Sequence, residues 1–233
     1  MNNKQSGFTL VEIAIVLVII GLLLGGILKG QELINSARVR NMADMNVGIQ
    51  AAYFGFIDRY RRVPGDWNPK AAETAIGVPI TGGGNDNGRI DNAGAPPDSF
   101  TEPNALWEQL AKAGFIQGAF DGTASTEPTT TNNLTPLNAF NNIVILGRTA
   151  DYQGTAAVRL NLILGRGIPV DIARELDVKL DDGLPLTGAL RLTAVTSGTF
   201  GSIGETDAAC LNVAGTDYDI FADVQDCNTL YLY

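Results

Sequence analysis

Residues 8–28 read FTLVEIAIVLVIIGLLLGGIL, an apolar run interrupted by one ionisable side chain, Glu12. As a helix rising ~1.5 Å per residue, the run reaches ~30 Å, the thickness of a bilayer's hydrocarbon core. The pattern then turns amphipathic without leaving the helical period. Met42, Met45, Ile49, Ala52, Tyr53, Phe56 and Tyr60 recur at steps of three and four, one stripe along one helix face. No proline intervenes before Pro64, so the pattern predicts a single helix over residues 8–61, roughly 80 Å long.

Beyond it the periods are shorter. Val63-Pro64-Gly65-Asp66 is a turn, and residues 65–100, rich in Gly, Pro, Asn and Asp, read as a long loop. Leu106, Leu110 and Ala113 predict a short helix over residues 104–113, opened by Thr101-Glu102-Pro103 and finished by Lys112 and Gly114. Trp107 in it reads as packing, with a ligand platform the alternative. Residues 123–138, TASTEPTTTNNLTPLN, carry no apolar period and predict an exposed loop. Strands are expected over residues 142–146, 156–164, 186–195 and 229–233, with Val158, Leu160 and Leu162 alternating in the second. Between them, Ile172, Ala173, Leu176 and Leu180 predict a helix over residues 169–180, stopped by Asp181-Asp182-Gly183. The expected class is α+β: a long N-terminal helix packed on a small antiparallel sheet.

Composition narrows the chemistry. The chain of 233 residues has room for one sizeable domain and an anchor, and a 45% hydrophobic, 18% charged composition argues against wholesale disorder. With 16 basic against 25 acidic residues, attraction to nucleic acid is disfavoured. Arg59, Arg61 and Arg62 close the long helix; they offset the negative end of its dipole or form a DNA-contacting patch. There is no histidine, which removes Ser-His-Asp and Cys-His nucleophiles and every histidine-containing zinc site. Asp181 and Asp182 are open to two readings, a helix stop or paired catalytic carboxylates, and no second acid cluster or substrate motif accompanies them. Cys210 and Cys227 read as a disulfide in an exported domain, since a metal site needs more soft ligands than two.

Glu12 is the residue that a plain signal-anchor leaves unexplained. A carboxylate at a helix centre in the bilayer costs about 2.5–3.5 kcal/mol on insertion scales. The positive end of the helix dipole returns roughly 0.3–1 kcal/mol of that. The balance calls for a cation.

Lys4-Gln5-Ser6-Gly7-Phe8-Thr9-Leu10-Val11-Glu12 resembles the processing site of type IV pilins and of the pseudopilins of type II secretion. A basic leader ends in Gly, Phe follows, and Glu stands fifth after the cut. The resemblance implies that a prepilin peptidase cuts between Gly7 and Phe8 and N-methylates Phe8, whose amine would supply the cation. Glu12 of one subunit would neutralise the N-terminus of its neighbour during assembly. It implies a leader at residues 1–7, a transmembrane and filament-core helix at 8–28, its amphipathic continuation at 29–61 and an extracytoplasmic globular domain at 62–233, in the lollipop layout of pilins. The expected partners are other pilin or pseudopilin subunits and an inner-membrane assembly platform. Before assembly the chain would span the inner membrane once, N-terminus cytoplasmic, and afterwards lie in a periplasmic or cell-surface filament. Orientation comes from the resemblance, because Lys4 lies on one side of the span and Lys29, Arg38 and Arg40 on the other.

The implied function is structural, not enzymatic, and the length favours a minor or specialised subunit of a pilus or pseudopilus. A minor pilin acting as adhesin or DNA-uptake receptor is the alternative; a signal-anchored periplasmic enzyme does not account for Glu12. Cys210 and Cys227 occupy the place of the disulfide-bounded C-terminal region of type IV pilins, and residues 176–185 resemble a segment of a subgroup of pilin-like proteins. Many type IV pilins have a proline midway along the span. This chain has Gly21, Gly25, Gly26 and Gly30 instead, which would let the helix bend or let neighbouring helices approach closely. Finally, Gly83 to Asp91 is similar to part of a calcium loop, with Asn85, Asn87 and Asp91 at ligand positions; Gly83 and Gly94 replace the first and twelfth ligands. It fails as an EF-hand and stands either as an irregular calcium loop or as an Asn/Gly turn cluster with no cofactor.

Overall fold

The computed structural model describes residues 10–90, 100–123, 126–196 and 198–233. Helix α1 (Leu10–Tyr60) is unbroken over 51 residues, and the chain divides into two compact units at Arg38/Val39. In the second unit, the predicted stripe is the buried one. Met42, Ile49, Ala52, Tyr53 and Phe56 of the predicted stripe are buried, Met45 and Tyr60 are half-buried, and Val39, one step earlier, is buried as well. Asn46 interrupts this apolar face, and the Tyr233 hydroxyl donates to its side-chain oxygen at 3.4 Å. The helix stops where Arg61 takes a φ of +55°, and the Arg61 N–H still reaches the Ile57 carbonyl at 2.8 Å.

The long loop predicted over residues 65–100 contains a helix, α2 (Pro69–Ile76). Its signals are local ones: the Asn68 side chain accepts from the Lys70 N–H, Pro69 opens the first turn, and Gly77 closes it at φ +85°. Helix α3 (Thr101–Lys112) begins a turn earlier than predicted, with buried Phe100 before it.

Strands β1 (Ile145–Thr149), β2 (Arg159–Ile163), β3 (Leu190–Leu192) and β4 (Thr229–Leu232) form one antiparallel sheet in the order β1-β2-β4-β3. Helix α4 (Val170–Leu180) connects β2 to β3. Three strands differ from expectation, β2 by starting at Arg159 where residue 156 was expected. β1 starts later than residue 142 because Ile143 and Val144 bond to Leu137 and Pro136 instead, and β3 is shorter than the run 186–195.

The sheet is covered on both faces. Leu146, Leu162, Leu190 and Leu192 share the core that holds Met42, Phe56 and Leu176. Ile145, Ile163, Leu230 and Leu232 turn the other way, onto Phe100, Tyr152, Phe200 and Ile203. The alternation read in β2 therefore located one face only. Leu162 is buried as predicted, but so are Asn161 and Ile163, while Val158 is 63% exposed. Two buried amides beside the second core donate to backbone, while the Oδ1 of each accepts nothing among the described residues. Asn161 Nδ2 donates to Thr149 O at 2.8 Å, and Asn228 Nδ2 to Ile203 O at 2.8 Å.

Helix α3 is buried from Glu102 to Leu110, and its polar residues hold a strap of backbone. Gln109 accepts from Gly65 N–H at 2.9 Å and donates to the carbonyls of Trp67 and Gly82 at 2.9 and 3.0 Å. Glu108 accepts from the Thr81 hydroxyl and the Gly82 N–H, each at 2.7 Å, and lies 3.3 Å from Lys112 Nζ. The glycines are steric requirements here. A Cβ on Gly82 would stand 2.1 Å from Gly122 O, and one on Gly84 2.3 Å from Glu102 Oε1.

Candidate assembly surfaces

Of the predicted site residues, Glu12, Asn85, Asn87, Cys210 and Cys227 can be placed. Gly7 and Phe8 lie outside the described residues. Glu12 stands in the first turn of α1, in a stretch apolar on every side. Leu10, Val11, Leu17, Val18, Leu22 and Leu28 are each more than 60% exposed. The helix is long and apolar enough to cross a membrane, and none of its most apolar 18-residue window is buried by protein. A helix that is apolar all round meets either lipid or other helices. The Lys29–Glu32 ion pair, 2.7 Å and exposed, marks the return of charge.

Among the described residues, the glycines of this stretch face open space. A Cβ added to Gly21, Gly25, Gly26 or Gly30 would meet nothing within 4 Å, and α1 runs straight through all four as helix. The open space is compatible with both readings, a bend and a close approach of another helix.

The structure joins Cys210 to Cys227, with Cα atoms 5.8 Å apart and both residues fully buried. The loop they close is fastened at two further points. The Tyr218 hydroxyl donates to Asp177 of α4 at 2.8 Å. Asp226 is paired with Arg166 and accepts from Gly167 N–H at 3.0 Å. Burial acts to raise the Asp226 pKa, but Arg166 and the Gly167 N–H outweigh it and hold the carboxyl below its usual range. Asp177 goes the other way. Burial pushes it up to about 6, against the opposing hydrogen bonds from Tyr218 and Gly183, and the charges of Asp182 and Asp181 add to the rise. Sequence reasoning missed both fastenings, because Asp177 and Tyr218 are 41 residues apart and Arg166 and Asp226 are 60 apart.

Asp177, Asp181 and Asp182 bring carboxylate oxygens within 4.8 Å of one another, an arrangement able to hold a cation. Each already serves the turn that follows α4. Asp177 accepts from Gly183 N–H, Asp181 from the N–H groups of Ala189 and Leu190, and Asp182 from Leu184 N–H and the Thr187 hydroxyl. The adjacent pair read from the sequence is thus a helix stop with an elaborate hydrogen-bonded turn.

Of the calcium candidates, Asp91 lies outside the described residues. The side-chain oxygens of Asn85 and Asn87 accept from the N–H groups two residues on, Asn87 and Arg89, both at 3.0 Å. Buried Asp66 takes the N–H groups of Asn87 and Gly88 at 3.1 and 2.7 Å. These are the bonds of an Asn/Gly turn secured from below. Arg59, Arg61 and Arg62 are surface residues. Arg59 lies over the Tyr60 ring at 5.1 Å, Arg61 is 3.3 Å from Asp58, and Arg62 is 4.0 Å from Asp86.

Residues 2–28 match the family model of the prokaryotic N-terminal methylation motif. No curated protein matches the chain significantly. The matched segment contains the Gly7-Phe8 junction and Glu12, and runs directly into the described α1. The chain carries the N-terminal hallmark of type IV pilins and pseudopilins, on an α+β fold of pilin-like layout.

Proposed function

We propose that this protein is a structural subunit, minor or specialised, of a type IV pilus or a type II secretion pseudopilus. Prepilin peptidase removes residues 1–7 and methylates the amine of Phe8. The subunit waits in the inner membrane with its N-terminus cytoplasmic, and an assembly platform draws it into a periplasmic or cell-surface filament. The observation that carries this reading is the methylation motif over residues 2–28 set on a helix whose apolar half buries nothing of its own. Such a surface is stable only in lipid or among other apolar helices, and a filament core provides the second.

In this reading Glu12 has an electrostatic task. A carboxylate brought out of water needs a cation, and the secondary amine of a neighbour's Phe8 is one made by the processing step itself. The reading requires no catalytic group or cofactor. The acids at residues 177–182 and the asparagines at 85 and 87 accept hydrogen bonds from the turns they belong to, Asp177 also from the Tyr218 hydroxyl and Asp182 from the Thr187 hydroxyl.

Intact-mass spectrometry of the protein from its native membrane tests the proposal. The expected mass begins at N-methyl-Phe8 and is two hydrogens light for the Cys210–Cys227 bond. Retention of Met1 to Gly7 in cells with active prepilin peptidase overturns it.

A further inference from the structure

The loop closed by the disulfide holds apolar side chains out into water. Phe221 is 91% exposed and Ile220 43%. They border a groove of about 220 Å³ against the start of α4, completed by Val170, Asp171, Asp223 and Gln225. The groove is preformed. Val170 N–H bonds to Val224 O at 3.0 Å, Ala222 N–H to Asp219 O at 3.1 Å, and Asp219 Oδ1 takes the Phe221 N–H at 3.2 Å. The loop that forms it is acidic, although Arg166 pairs with Asp226 and Arg174 follows Asp171 one turn later on α4. After Arg191 the sequence has no lysine or arginine, and it has Glu205 and five aspartates. An exposed aromatic face beside two carboxylates, in a cleft of side-chain size, suits a guanidinium: the ring takes the flat cation and the carboxylates its N–H groups.

The complementary group is on the same chain. Three of its 16 basic residues fall within Arg59–Arg62. At φ +55°, Arg61 leaves the end of α1 at an angle no helix continues, and its side chain is 79% exposed. Its partner Asp58 is 80% exposed, so that pair contributes little. We propose that the arginine knob at the end of α1, Arg61 foremost, docks in the Phe221–Asp171–Asp223 groove of a second copy. The contact is heterologous, a different patch on each partner, and such contacts propagate an open polymer when their rotation does not close a ring. The inference rests on the filament reading and adds to it a surface contact outside the apolar helix.

The test places benzoylphenylalanine at position 221, an exposed site that tolerates it, in the full-length protein in its native membrane. Irradiation and peptide mapping should give an adduct between position 221 and the Arg59–Arg62 segment of another copy. Arg61→Glu should lower its yield by about fivefold or more. A parallel photoprobe at Leu17 reports packing of the apolar helices. Adducts between copies at Leu17, with position 221 joined to another part of the chain or to a different protein, overturn the docking and leave the filament reading standing. No adduct between copies at either position overturns both. An unchanged adduct in Arg61→Glu also overturns the assignment of the knob.

Discussion

Asp177 couples burial to pH. Its pKa is about 6 in the folded protein against 3.8 for an ordinary aspartate. The native state therefore binds the proton more tightly than the unfolded chain. Its stabilising contribution is complete below pH 3.8 and is lost as pH rises through about 6. From this group alone, stability at about pH 4.5 should exceed that at about pH 7.5 by about 2 kcal/mol. Asp177→Asn keeps an acceptor for Gly183 and a partner for Tyr218 while removing the charge. It should flatten this dependence and be no less stable than the natural protein at about pH 7.5. Thermal melts of the two proteins across that range decide it; the same slope in both would mean that Asp177 is not the group responsible. No single-residue signal announces this behaviour. The sequence shows an Asp on α4, and only the fold brings Tyr218, Asp181 and Asp182 against it.

Among the elements, α3 shows where pattern reading succeeds and where it stops. Its apolar members Leu106 and Leu110 were legible by spacing, and Trp107 is fully buried as packing. The polar residues were not legible, because Glu102, Glu108 and Gln109 look like a solvated face until the strap over residues 80–88 covers them. Their acceptors satisfy backbone N–H groups that no helix or strand would satisfy. Glu108→Ala removes the acceptor for Thr81 and Gly82 and should cost about 2–4 kcal/mol. Val178→Ala, at a position 58% exposed on α4, should cost no more than about 0.5 kcal/mol. Chemical denaturation of both variants measures the difference, and equal costs would contradict the clamp. Helix α2 was missed for a related reason. Asn68, Pro69 and Gly77 signal it, but the glycine- and asparagine-rich composition around them reads as loop. The second core was invisible because Phe100, Phe200 and Ile203 come from segments without any period.

At the scale of the molecule, the functional surface most legible in sequence is the one the chain does not bury. The apolar run, Glu12 and the Gly7-Phe8 junction were readable because they form one linear pattern, the one the methylation-motif model matches, whereas the groove beside Phe221 requires two segments to meet. The filament reading makes a prediction of its own. Glu12→Ala should leave cleavage at Gly7 intact and reduce incorporation into filaments by at least about tenfold, the equivalent of 1.4 kcal/mol of lost charge pairing. Mass spectrometry of membranes and quantitation of sheared filaments separate the two effects, and a normal filament yield from the variant would refute the pairing.

The strand order also bears on when the domain can close. β4 sits between β2 and β3 yet follows both in the chain. Until Thr229 to Leu232 have been translated, β2 and β3 each present an unpaired edge, and Cys227, two residues earlier, arrives at nearly the same moment. A ribosome that stops short of Thr229 releases a chain without its central strand. The globular domain thus stays open until β4 arrives, and the sheet and the disulfide then close over the same few residues.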